Sequence, residues 1–358
     1  MPASLLNKIL DIARRVKAFL TPKSEQSINT ESEKRKSYLV REIVSKKRAL
    51  GLIKEKMHSA ANPEAKRLHG MRRRSARQEI VQLRRELKAA KGEVEVGQDT
   101  NPPPDFVIIG AQKGGTTFLH HLLSQHPLVE PAVRKEVHFF DWNFDKGIEW
   151  YRQCFPDPKW KGGRKIITGE ASPSYLFHPL VAERMAETVP QARLIAMLRN
   201  PIDRAYSHYQ MQVRRGQEPR AFEEAIEAQL SRLRAEAEGD ETREDTSHDG
   251  FKQQMVFAYL SRGIYVDQLL RWRESFSTEQ MLVLSSEDFF ERPVETLKVV
   301  LDFLDLPEWA PEASELRKRR HRGGYEQEMD PSTRRRLEEF FEPHNRRLYG
   351  YLGVDFGW

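Results

Sequence analysis

The rhythm of apolar residues changes once along this chain, and the change divides it. Through the first hundred residues they come singly among lysines and arginines: Leu5, Ile9, Ile12, Val16 and Phe19-Leu20, then Ile43, Leu50, Ile53 and Met57, then Ile80, Leu83 and Leu87. Spacings of three, four and seven place such residues on one helix face, but the stripes are too short to define a coiled coil. A stiff proline linker follows at Asn101-Pro102-Pro103-Pro104. Beyond it the apolar residues gather into short runs separated by periodic stretches. This predicts strands over 106–110, near 165–169, over 193–198 and over Met281–Ser285. Helices are predicted from Thr116, near 179–188, and over 201–213, Ile264–Phe276 and Val294–Leu304, with a charged loop over Ala235–Gly250. Such alternation implies an α/β domain whose mostly parallel sheet is covered on both faces. The expected organisation is a helical extension over 1–100 and a single α/β domain over 101–358.

Charge sharpens this division. The 358 residues carry a net +6, but residues 1–100 hold 24 Lys and Arg against 12 Asp and Glu, and the remainder holds 35 against 41. All excess positive charge therefore lies in the extension. The stripe within residues 1–20 suits either an interfacial helix on an anionic membrane or an ordinary helix docked on the protein body. The cluster Arg72-Arg73-Arg74 with Arg77 reads as a solvated helix face, and nucleic acid is not expected as a partner. A single cysteine, Cys154, excludes an intramolecular disulfide. No run reaches the ~18 apolar residues a membrane span needs, and charges interrupt every apolar run near the N-terminus. The expectation is a cytoplasmic enzyme, with peripheral membrane contact through residues 1–20 as an option.

The chemistry concentrates first in residues 106–117, FVIIGAQKGGTT. Four apolar residues run into a glycine, then Lys113, Gly114, Gly115, Thr116 and Thr117: a buried strand, a tight loop and a helix start. Glycines let the backbone approach a ligand closely. The free N–H groups of a helix start attract an anion, and Lys113 adds a full positive charge. The order differs from the nucleoside-triphosphate loop, in which lysine directly precedes the hydroxyl residue.

A second anion site is legible in residues 193–209, RLIAMLRNPIDRAYSHY. Arg199 closes an apolar strand, Asn200-Pro201 makes a good helix start, and Arg204 and Ser207 follow on the helix. A guanidinium fork and a hydroxyl suit a doubly charged phosphate. Between the two anchors lies Arg134-Lys135-Glu136-Val137-His138-Phe139-Phe140-Asp141-Trp142. If extended, it would project Glu136 and His138 from one face, a carboxylate and an imidazole suited to removing a proton from an acceptor. His120 and His121 lack the companions a metal site needs. Trp142, Trp150 and Tyr151 suit either an acceptor cleft or core packing, and Trp272 suits the core.

These motifs, in this order, resemble sulfotransferases that use 3′-phosphoadenosine-5′-phosphosulfate (PAPS). KGGTT resembles the 5′-phosphosulfate loop, and Arg199, Asn200, Pro201, Arg204 and Ser207 match the R-[DN]-P-x-x-R-x-x-S pattern that holds the 3′-phosphate. With KEVHFFDW, DKGIEWYRQCFP, EASPSY, RGIYVDQLLRW and SSEDFFERP, the chain from about residue 105 onward is similar to heparan sulfate 3-O- and N-sulfotransferase domains. The resemblance implies a three-layer α/β fold, like that of P-loop proteins, and PAPS as donor with its desulfated product PAP. It also implies Glu136 as base, Lys113 at the bridging oxygen and His138 as orienting partner. Arg322-Gly323-Gly324-Tyr325 looks like the late loop that closes over the nucleotide, with arginine in place of lysine.

Some residues depart from that family. Where the 3-O-enzymes carry E-K-[TS]-P, with a lysine that helps meet the sugar chain, this chain reads Glu170-Ala171-Ser172-Pro173. The late-loop disulfide has no cysteines here, and the domain is net acidic, which is unfavourable for a long sulfated polymer. The expected acceptor is therefore a smaller or less charged saccharide or glycolipid. Two rival readings are a nucleotide-dependent kinase using the same anion loop and a non-catalytic module binding a polyanion or membrane. The kinase would need a differently placed lysine and an acidic Mg²⁺ site, and intact anion motifs argue against the module.

Overall fold

The computed structural model of the chain describes residues 31–59, 76, 83, 87, 103–157, 159–238, 255–317 and 329–358. The chain divides into two compact units, Met1–Gln98 and Asp99–Trp358. In the first, helix α1 spans Glu31–Ser59, burying Leu39 and Ile43, and positions 76, 83 and 87 are also helical. The stripe in residues 1–20 lies outside the described residues.

The second unit is built on five parallel strands: β1 (Phe106–Gly110), β2 (Val129–Pro131), β5 (Ile167–Ala171), β6 (Arg193–Leu198) and β7 (Met281–Ser285), in the order β2-β5-β1-β6-β7. A short hairpin, β3 (Trp160–Lys161) and β4 (Arg164–Lys165), precedes β5. It turns through Gly162 and Gly163, both at positive φ, as a two-residue hairpin requires. The hairpin takes up Lys165 and moves the sheet strand two residues beyond the start predicted from sequence.

Alternate residues of each strand feed two apolar layers. On one face Val107, Ile109, Leu194, Ala196 and Leu198 pack with residues of α3 (Phe139–Trp142), α4 (Ile148–Arg152), α5 (Val181–Thr188) and α8 (Tyr265–Arg273). On the other, Phe106, Ile108, Ile195 and Met197 pack against α2 (Thr116–Leu123), α9 (Ser286–Glu291) and α10 (Pro293–Phe303). This three-layer arrangement is the one inferred from the sequence. Trp272 is fully buried, as expected of a core residue, and its indole N–H donates to Leu176 O at 3.0 Å.

A third apolar cluster joins α6 (Pro201–Arg214), α7 (Phe222–Glu238) and α12 (Pro331–Leu352) through Ile202, Phe222, Ile226, Leu337 and Phe341. Residues 235–238, read from sequence as the start of a loop, are the last turn of α7. The rest of that charged segment, 239–250, lies outside the described residues.

The strand order sets the position of the site. From β1 the chain builds outward to β2 and β5 on one side, then crosses to β6 and β7 on the other. The loops leaving the carboxyl ends of β1 and β6 therefore run in opposite directions and open a crevice between them. That is where open parallel sheets bind ligands.

Candidate active site

The loop after β1 is built around a close approach. Ala111 N donates to Met197 O of the neighbouring strand at 2.7 Å, and Gly114 N returns to Ala111 O at 2.9 Å. A Cβ on Gly114 would stand 2.5 Å from Met197 O, and Gly115, at φ 92°, is the N-cap of α2 with Phe290 beneath it. Only glycine satisfies both positions. Lys113 itself adopts φ 73°, Thr116 is buried, and Thr117, half-buried at the start of α2, accepts from Lys135.

The second anchor meets the first. Arg199, at the end of β6, donates from Nη1 to Lys113 O at 3.3 Å. Asn200 caps α6, its Oδ1 accepting from Ile202 N at 3.0 Å and Asp203 N at 3.3 Å. Ser207 sits on the second turn of that helix, buried. Arg204 is fully buried and donates to Tyr259 O, so it supports the pocket from behind rather than lining it. Arg214 and Arg215, which the sequence reading passed over, also bear on Lys113. Burial first, then the charges of Arg214, Arg199, Arg215 and Arg204, push its ammonium down to about 8. Crowded cations meeting no carboxylate among the described residues form an environment that an anion relieves.

Glu136 and His138 do meet, but not as predicted. The segment is not extended: both residues lie at positive φ, 58° and 52°. The cause is tertiary. His138 N donates to Ser172 Oγ at 3.1 Å and Phe139 N to the Tyr175 hydroxyl at 2.8 Å, so these backbone donors go to side chains and not to a neighbouring strand. Phe139 and Phe140 are thereby buried in the core and start α3. In this turned geometry His138 Nε2 stands 3.5 Å from Glu136 Oε2, and Nδ1 lies 2.9 Å from the buried Asp141 Oδ2. Ser174 Oγ donates to the same Asp141 oxygen at 2.5 Å.

Burial works against the charged ring of His138, but hydrogen bonds to Asp141 and Glu136 prevail and lift it to about 9. The hydrogen bond from His138, with Lys135 assisting against burial, takes Glu136 down to about 2. At neutral pH the row Glu136, His138, Asp141 thus centres on an imidazolium, with Glu136 ionised. Lys135 ties this row to the first loop, donating to Thr117 Oγ1 at 2.7 Å and Glu136 Oε1 at 3.1 Å.

Behind the row, Glu170 is completely buried and accepts from Ser172 at 2.6 Å, Tyr151 at 2.8 Å and Tyr175 at 3.1 Å. Tyr151 is therefore a core residue, not part of an acceptor cleft. Trp150 is half-buried with Lys146 over its ring at 4.4 Å. His121 pairs with Glu315 at 2.8 Å. Burial and the adjacent Lys135 bring His120 down to about 4, which keeps it neutral. Arg322, Gly323, Gly324 and Tyr325 lie outside the described residues.

The family model described as "Sulfotransferase domain" matches residues 103–348. The chain belongs to the sulfotransferase family. The human heparan sulfate glucosamine 3-O-sulfotransferase 3B1 is 31% identical over 283 residues, covering 73% of this chain and 66% of that protein. The Dictyostelium discoideum membrane-associated sulfotransferase kil1 is 26% identical over 320 residues, covering 71% and 66%. The Caenorhabditis elegans bifunctional heparan sulfate N-deacetylase/N-sulfotransferase 1 is 30% identical over 273 residues, which is 30% of its length. The matches thus leave a third or more of each of these relatives uncovered. The crystal structure of a sulfotransferase from Alicyclobacillus acidocaldarius superposes with TM-score 0.55 at 29% identity, covering 71% of this chain and 98% of that one.

These relatives place the chain with the heparan sulfate branch, as its motifs implied. They also correct one expectation. Membrane association is named for one relative and heparan sulfate sulfation for others, so the cytoplasmic placement is withdrawn. Among the described residues no helix is long and apolar enough to cross a membrane.

Proposed function

We propose that this sulfotransferase uses PAPS as donor and a carbohydrate or glycolipid hydroxyl or amine as acceptor, releases PAP, and employs Glu136 as base. One observation carries the reading: Arg199 reaches the loop after β1 at Lys113 O, and Lys135 ties Thr117, at the end of that loop, to Glu136 of the Glu136–His138 pair. The residues present fit an anionic nucleotide. Lys113 and Arg199 converge without a carboxylate among the described residues, and the Gly114–Gly115 turn leaves no room for a Cβ.

Lys113 would lie at the oxygen bridging phosphorus and sulfur, with Gly114, Gly115, Thr116 and Thr117 around the 5′ end. Arg199 and Ser207 would take the 3′-phosphate, and Arg322, Gly323, Gly324 and Tyr325 would close over the nucleotide. When bound, PAPS supplies an activated sulfuryl group whose transfer breaks its bond to the 5′-phosphate. The α2 N-terminus and Lys113 favour negative charge at that end of the crevice. Glu136, ionised at neutral pH, accepts the acceptor's proton, and His138, fixed by Asp141 and Ser174, holds the carboxylate in place.

The acceptor reading draws on the names of the relatives and on two features of this chain. Ala171, standing where the resembling enzymes carry a lysine, is completely buried, and the domain is net acidic. Both favour an acceptor less charged than heparan sulfate.

The test is transfer of labelled sulfate from PAPS onto a panel of saccharides and glycolipids, with ATP as the competing donor in thermal-shift measurements. Glu136→Gln should lower turnover on the order of 10²–10⁴-fold, and Lys113→Ala should abolish it. Arg199→Ala should chiefly weaken PAP binding. Normal turnover by Glu136→Gln would remove the base, and stabilisation by ATP but not PAPS would remove the donor.

A further inference from the structure

Lys135 touches both the first turn of α2 and the carboxylate of Glu136. Its ammonium donates to Thr117 Oγ1 at 2.7 Å, on the first turn of α2, and to Glu136 Oε1 at 3.1 Å, while His138 Nε2 stands 3.5 Å from Glu136 Oε2. Both carboxylate oxygens of Glu136 therefore face a cation. Lys135 and Glu136 are each more than a third exposed, so the ammonium has room to swing. A carboxylate held this way is a poor acceptor for a hydroxyl proton, since a base works best when its proton affinity approaches that of the medium. Thr117, in contrast, lies where the helix start and Lys113 would grip an anion.

We infer that Lys135 is a positioning residue that couples the two halves: an anion docked at Thr117 draws the ammonium off Glu136 and frees the carboxylate to act as base. The inference rests on the reading of Glu136 as base and of the first loop as donor site. It implies an order, because an acceptor arriving before the nucleotide would meet a masked carboxylate. Lys135 gains Thr117 as a second neighbour only once the start of α2 and the 134–138 turn come together in space.

The charged groups around Glu136 define the test. Lys135 and His138 face it directly, Asp141 acts on it through His138, and His120 on α2 lies beside Lys135. Removing the cation at 135, or moving it to a bound anion, should raise the proton affinity of Glu136. Leaving His138 in place should keep that rise partial.

The experiment follows the Glu136 carboxyl by carbon NMR on the full chain, assigned through Glu136→Gln, with and without saturating PAP as probe. In the wild type, PAP should raise the titration midpoint by a unit or more, a tenfold change in proton affinity. In Lys135→Met the midpoint should already be raised without PAP, and PAP should add less than half the wild-type shift. Lys135→Arg, which keeps a cation, should restore most of the PAP response. An unchanged midpoint in the wild type on PAP binding overturns the coupling, as does a full PAP shift in Lys135→Met. Either result leaves the donor site standing, whereas failure of PAP to bind at all removes the donor reading itself.

Discussion

His138 holds its proton because it is clamped between two carboxylates, and the consequence for stability follows from linkage. Its folded-state value, about 9, exceeds that of an unfolded histidine, about 6.5. The resulting stabilisation is fully present below pH ~6.5 and is lost as pH rises through 9. Thermal unfolding of the wild type should therefore show a steeper fall in midpoint between pH 6 and 9.5 than His138→Gln does; parallel curves would deny the clamp. Lys113 has the opposite sign. Burial and neighbouring arginines hold it near 8, and an anion favours its protonated form. PAP affinity should weaken as pH rises from 7 through 8, a trend absent in Lys113→Met. Calorimetric titration at pH 7 and 9.5 decides it.

At the scale of elements, the β1–α2 turn works by leaving atoms out. Gly114→Ala would drive a methyl into Met197 O at 2.5 Å, and because that neighbour is backbone of β6 it cannot rotate away. Overpacking of this kind costs about 1–3 kcal/mol, and it lifts the loop off the strand that carries Arg199. Both a lower urea midpoint and a loss of PAP affinity are expected together. A variant that loses stability but binds PAP normally would show that the turn is structural only. The turn at 134–138 differs in kind. Its positive φ values at Glu136 and His138 are imposed by bonds from the backbone to Ser172 and Tyr175, residues that precede and follow Pro173.

For the whole molecule, the division at Gln98 and Asp99 separates a basic N-terminal unit from one that contains every proposed donor and base residue. A chain of residues 99–358 should unfold cooperatively and bind PAP within a few-fold of the full protein. Loss of PAP binding on that truncation would give residues 1–98 a part in the site. The sheet order matters at this scale as well, because the crevice exists only where the direction of strand addition reverses between β1 and β6.

Much of this was legible along the chain because it is local. Apolar runs specified β1, β6 and β7, the Asn200-Pro201 junction specified the start of α6, and adjacent glycines marked the tight turn after β1. Each depends on backbone and side-chain preferences that act within a few residues. Other features depend on residues far apart in sequence. Ser174 reaches His138 and Asp141 across 36 and 33 positions, and Lys135 reaches Thr117 across 18. Arg214 and Arg215, at the C-terminal end of α6, bear on Lys113 from a separate element. Periodicity therefore determined the layers and local motifs marked the candidate anion-binding groups, whereas packing decided how the distant charges pair. The physical reason is range: strand and turn propensities are satisfied by near neighbours, but the electrostatics of a crevice are set by whatever the fold brings to it.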